Sequence, residues 1–212
     1  ALSSAASDVY KRQIKWLVLA VLTGLSVGFI SSLFARVLKF VTNYRTEHFW
    51  VFFLLPVSGL IIVFLYQKFG QEDGGTNQVL STIRSQDDVP FRSAPLIFIS
   101  TILTHFAGGS AGREGAALQI GGSLGCYIGR LFHLDEKDMR IATLCGMSAV
   151  FSALFGTPLT ATIFALEVIS VGVFYYSALV PCIVASLAAL AIANAFGIAP
   201  TQFTFAFAAA PK

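Results

Sequence analysis

Seven apolar stretches constrain this chain more than any other feature: Trp16 to Ala35, Phe49 to Tyr66, Ala94 to Ala107, Ala116 to Phe132, Ile141 to Phe155, Leu159 to Tyr176 and Ala178 to Phe196. A helix needs about 20 apolar residues to cross a bilayer. The first two stretches and the last suffice; several between them are short and joined by Gly or Pro, which predicts broken helices. Backbone groups left unpaired in hydrocarbon are costly, so such breaks persist only inside protein or along a water-filled route. The breaks therefore predict a transport path. Of 212 residues, 56% are hydrophobic and 12% charged, which excludes an ordinary soluble domain.

The net charge is +3 and the cations are scattered, with no run suited to nucleic acid and no one-sided bias to set membrane orientation. Cys126, Cys145 and Cys182 each sit in apolar sequence, so buried thiols are expected rather than a disulfide or a metal site. No cofactor is expected, and no enzyme, since no nucleophile, base and orienting group converge.

The fold class is all-α: a polytopic membrane protein with discontinuous, tilted helices. Ile14 to about Tyr44 reads as one long helix whose Arg36, Lys39 and Arg45 reach the headgroups by snorkelling. Phe49 to Phe69 is a second span, kinked at Pro56 and Gly59. Asn77 to Arg84 can form a short helix behind Gly74, Gly75 and Thr76. Ser93 is the expected N-cap of a helix from Ala94 to Phe106 that stops at Gly108 and Gly109. Further helices are expected from Gly115 or Ala116 to Arg130, from Met139 to Leu154 behind an acidic start at Asp135 and Asp138, from Pro158 through Glu167, and from Ala178 to Phe196.

The opening ALSSAASDVYKRQ is polar and does not read as a signal peptide. Asp8 to Gln13 can be encoded by GATGTGTATAAGAGACAG, which resembles the end of a transposon-type sequencing adapter. Residues 1–13 are therefore expected to be non-native, and residues 14–212 to be a partial transmembrane domain.

The chemistry concentrates in GGSAGREGAALQIGGSLG, Gly108 to Gly125. A helix starting at Gly112, Arg113, Glu114 and Gly115 leaves its first amides unpaired and points the positive end of its dipole into the break. At membrane depth that terminus attracts an anion, and glycines let it approach the backbone. Glu114 brings a carboxylate that can occupy the same site and leave it on protonation, acting as a gate, a proton carrier or both. The plainer alternative is an Arg113–Glu114 ion pair in an interfacial loop. No GK[ST] or GxGxxG pattern supports nucleotide binding.

Two more breaks precede helices, at Gly74 to Asn77 and at Gly156 to Pro158. Convergence of all three would surround one point with helix N-termini, with Thr76 and Asn77 offering a hydroxyl and an amide. Glu167 is either a proton-path residue or a structural carboxylate paired within the bundle. His105 packs or caps beside the glycine break and His133 sits in a wet loop; neither is assigned a metal.

These residues resemble a known family. GSAGREGAALQIGGSLG is similar to the GREGP region of CLC chloride channels and anion/proton antiporters, and FGTPLTATIFALEV to their F-x-x-P-L-x-x-x-x-F-x-x-E segment, in the family's order. The resemblance covers about Lys15 to Phe196 and implies a homodimer in a prokaryotic inner membrane. Each subunit would carry its own path for chloride or fluoride, with protons as a possible partner ion, built from two inverted halves of which this is the first. By position, Glu114 corresponds to the gating glutamate, Gly112 to Gly115 to the outer and central anion sites, and Thr76 to the serine of GSGIP. Here that motif reads Gly75, Thr76, Asn77, Gln78, Val79, and Glu167 is followed by Val168 rather than a second acid. Val168 is similar to the passive chloride channels and also to the fluoride/proton antiporter branch, which PFRSAPLIFISTILTHFAGGSAGREG resembles. That branch has threonine where this chain has Ala116, so channel and antiporter both stay open. A non-conducting membrane scaffold, with the glycines as packing sites, is the rival of another class.

Overall fold

A computed structural model of the chain describes residues 2–70, 90–168 and 175–198, with only the backbone course for residues 2–8. Among the described residues the structure is helical and contains no strand: α1 (Leu2–Glu47), a 3₁₀ helix (Phe49–Leu54), α2 (Leu55–Phe69), α3 (Ser93–Phe106), α4 (Arg113–Leu131), α5 (Glu136–Phe155), α6 (Pro158–Glu167) and α7 (Tyr176–Ala195). Val9–Glu47, Phe49–Phe69, Glu136–Phe155 and Tyr176–Ala195 are long and apolar enough to cross a membrane, whereas Ser93–Phe106 and Pro158–Glu167 are apolar but shorter. The expected all-α class with interrupted helices is what forms.

The punctuation follows local chemistry. α3 ends in a Schellman turn: Gly109 N–H donates to the Thr104 carbonyl at 2.8 Å, Gly108 N–H to His105 at 3.3 Å, and Gly108 takes φ 89°. Asp135 caps α5, its carboxylate accepting from Asp138 N–H at 2.8 Å. Gly156, at φ 72°, ends α5, and Pro158 opens α6 where a missing N–H costs nothing.

Three boundaries differ from expectation. The kink expected within the second span is a change from 3₁₀ to α-helix, with Pro56 in the first turn of α2. Ser93 is the first helical residue rather than the N-cap, because its N–H already donates to the Pro90 carbonyl at 3.0 Å through a backbone turn. α4 begins at Arg113, so Arg113 and Glu114 belong to its first turn instead of preceding it. The short helix expected at Asn77 to Arg84 lies outside the described residues.

α5 occupies the centre and is buried without interruption from Ile141 to Val150, as an all-round apolar helix must be. It packs against α4, α6, α7 and α1. A Cβ on Gly121 would lie 2.5 Å from the Gly146 carbonyl oxygen, and one on Gly125 would strike the Ala142 carbonyl, so α4 and α5 meet backbone to backbone. α1 and α7 do likewise, a Cβ on Gly28 falling 2.7 Å from Ala189 Cα. Such close approach drives association where lipid is as apolar as the side chains.

A buried hydroxyl seam joins α5, α6 and α7. Thr162 Oγ1 lies 3.1 Å from Ser148 Oγ and 3.2 Å from Ser186 Oγ; Ser148 also donates to Cys182 O at 3.1 Å and Ser152 to Ser186 O at 2.7 Å. Each interhelical bond of this kind contributes roughly 0.6 kcal/mol. The three cysteines are buried free thiols, with Cys145 and Cys182 sulfurs 3.8 Å apart. At the opposite end from the α3–α4 turn, buried Asp138 accepts from Arg12 and Lys15, each at 2.9 Å, tying α1 to the start of α5.

Candidate functional site

Between α3 and α4 the chain leaves the Schellman turn and reaches Gly112, the N-cap of α4, in extended backbone at φ −70°, ψ 141° with no side chain capping the helix. The amides of Arg113, Glu114 and Gly115 therefore find no acceptor within their own helix. Together with the dipole of a 19-residue helix they make this end electropositive. Any residue can adopt the φ of Gly112, so its value here is space. A Cβ at that position would lie 3.1 Å from Glu114 Oε2.

The Glu114 carboxylate is thus turned back over the N-cap, a negative group against the positive end of its own helix, while the residue stays exposed. Among the described residues Glu114 forms no ion pair, so the plain Arg113–Glu114 pair is not formed. Arg113 turns elsewhere and lays its guanidinium 5.3 Å from the centroid of the Phe155 ring, the last residue of α5. Through that contact the start of α4 lies beside the Gly156–Pro158 break. Two of the three breaks expected to converge are therefore neighbours. The third, Gly74, Gly75, Thr76 and Asn77, lies outside the described residues.

The remaining sequence-selected groups stand apart. Glu167 is the final residue of α6, exposed, and without an ion pair among the described residues. His105 Nδ1 is 2.8 Å from the Thr101 carbonyl, which can only accept, so that nitrogen carries the hydrogen. His133 sits in an exposed turn at φ 50°.

A cavity of about 530 Å³ beside the start of α4 was not anticipated. Its polar lining is Arg36, Lys39, Thr42, Asn43, His105 and Arg113. Two of the cations of α1 also hold carbonyl oxygens. Arg36 Nη2 donates to Phe196 O at 2.5 Å and its guanidinium lies 5.1 Å from that ring; Arg45 Nη1 donates to His105 O at 3.2 Å. The signal was present in the sequence: Arg36, Lys39 and Asn43 recur at spacings of three and four, with Thr42 beside Asn43, and share one face of α1.

Residues 58–211 match the family profile described as voltage gated chloride channel. The chain is 39% identical over 191 residues to the chloride/fluoride channel protein of Pseudomonas syringae pv. tomato, covering 89% of this chain and 42% of that protein. It is 29% identical over 167 residues to an H(+)/Cl(-) exchange transporter of Cronobacter sakazakii, covering 71% and 36% respectively. Among solved structures, a CLC-type fluoride/proton antiporter superimposes with a TM-score of 0.87 at 32% identity, over 96% of this chain and 52% of that one. A slow cyanobacterial Cl-/H+ antiporter gives 0.72 at 22% identity, over 85% and 46%, a likeness of fold alone. The chain spans about half the length of these relatives, or less.

Proposed function

Because the chain belongs to the voltage gated chloride channel family, we propose that it supplies part of a channel-like anion path across a membrane, gated by Glu114. The observation that carries this reading is the Glu114 carboxylate lying back over Gly112 at the uncapped start of α4. Glycine leaves the first-turn amides of Arg113, Glu114 and Gly115 open to an anion that has shed part of its water. The carboxylate competes for the same electropositive position. Protonation removes its charge and frees the position for chloride or fluoride. Gly75, Thr76 and Asn77 are proposed to complete the site with a hydroxyl and an amide.

A second reading is antiport of fluoride or chloride against protons, with Glu114 as the proton carrier. The 32% identity to a fluoride/proton antiporter across nearly the whole of this chain favours it. In that case Glu167 becomes a proton-path candidate. The working unit is proposed to be a homodimer in a prokaryotic inner membrane.

The test is anion efflux from liposomes holding the complete protein, read with fluoride- and chloride-selective electrodes while proton uptake is followed. Efflux above protein-free liposomes is expected. Passive chloride flux supports the channel, and fluoride-dominated flux with proton uptake supports the antiporter. No flux of either ion would sink both readings in favour of a scaffold.

A further inference from the structure

Two buried thiols meet where α5 packs on α7. Cys145 lies in the uninterrupted buried run of α5 and Cys182 is buried in α7, with their sulfurs 3.8 Å apart. Both stand on helices that are tied together beside them. Ser148, on the same helix as Cys145, donates its hydroxyl to the Cys182 carbonyl at 3.1 Å. A thiol fills space like a small hydrophobe, which accounts for each cysteine taken singly. Packing alone does not require the two sulfurs to face each other.

We propose that Cys145 and Cys182 form a two-coordinate site for a soft divalent metal ion, of which Hg(II) is the type. With a metal–sulfur bond of about 2.3 Å, a straight S–metal–S unit spans ~4.6 Å, so sulfurs now 3.8 Å apart need part by only ~0.8 Å. Pro181 gives this turn of α7 the slack to do so, because its missing N–H removes a backbone hydrogen bond just before Cys182. Thiolate sulfur selects soft ions. Zinc asks for four ligands, and among the described residues no group of three or more His, Cys, Asp or Glu side chains could hold a metal. Charge then separates the ions content with two ligands: a monovalent ion on two thiolates leaves a net negative charge in the core, whereas a divalent ion leaves none. The exchange involves no electron transfer. Two S–H bonds and the two Hg–Cl bonds of mercuric chloride break, two Hg–S bonds form, and two protons and two chloride ions leave. Mercuric chloride is itself neutral, so hydrocarbon does not bar it from the site. A disulfide would instead need an oxidant and sulfurs drawn together to about 2.05 Å. The bound ion ties the central helix α5 to α7, and the site does not rest on the anion-transport reading.

The test is titration of the complete, reduced protein in detergent with mercuric chloride, in competition with a small monothiol. Against that competitor, wild type should hold one more ion than Cys145→Ser or Cys182→Ser, with the ultraviolet sulfur-to-mercury absorption of a bis-thiolate and two protons released for that ion. Because the second thiolate binds within the same molecule, either serine variant should lower the affinity about a hundredfold or more. Cys126→Ser should leave it unchanged, and zinc should not compete for the site. Where a serine variant fails to fold, mercury-soaked crystals of the wild type decide: one anomalous peak is expected between the two sulfurs. A peak on one of them alone, or none at either, would overturn the proposal. So would wild-type affinity for Hg(II) in a folded Cys145→Ser or Cys182→Ser protein.

Discussion

Two parts of α4 use glycine for opposite ends. Along its body, Gly121 and Gly125 are buried and let the α5 backbone come so near that an added methyl would collide with a carbonyl oxygen. At its start, Gly112 is exposed and its missing side chain leaves room for the Glu114 carboxylate above bare amides. Glycine count therefore does not separate packing from function. What separates them is the atom a Cβ would meet: fixed backbone in one case, the movable tip of an acid in the other.

Substitutions should pull these two uses apart. The largest effect is expected for Gly146→Val on the packing side, where overpacking against the Gly121 carbonyl costs about 3 kcal/mol; detergent-solubilised protein should melt far lower or fail to run as a single species. A Gly146→Val protein as stable as wild type would mean that α4 and α5 are not in backbone contact. Next, Asp135→Ala removes the side-chain cap of α5 and should lower stability by about 1 kcal/mol while leaving the flux–pH profile in place. A shifted profile would show that the two ends of the α4–α5 pair are coupled. The smallest stability change is expected for Gly112→Ala, within about 0.5 kcal/mol of wild type because its φ suits alanine. Its effect should appear in transport instead: the crowded carboxylate is held less well by the helix end, so the midpoint of the flux–pH profile should move to higher pH. An unmoved midpoint would break the distinction between the glycines.

Much of this was legible in the sequence. Apolar run lengths gave the interrupted helices, Gly108–Gly109 and Gly156–Pro158 marked real ends, and the density of glycine around Arg113 and Glu114 pointed to the bared terminus. Element boundaries inside uniform chemistry were less legible. Ser93 looked like a cap because a side chain and a backbone turn can do the same work. The carbonyl partners of Arg36 and Arg45, Phe196 and His105, are 160 and 60 residues away in sequence. Long-range partners of that kind leave no local trace, although the shared face of Arg36, Lys39, Thr42 and Asn43 was readable.

The central claim is that Glu114 and the permeant anion compete for the start of α4. Glu114→Gln keeps the shape of the side chain and removes its titration. The direct measurement is anion efflux from liposomes containing the complete protein, wild type and Glu114→Gln, across pH 4 to 8. Wild-type flux should rise as the pH falls and the carboxylate is neutralised, whereas Glu114→Gln should give flux independent of pH, with no accompanying proton movement. A Glu114→Gln protein that retains the wild-type pH dependence would contradict the claim.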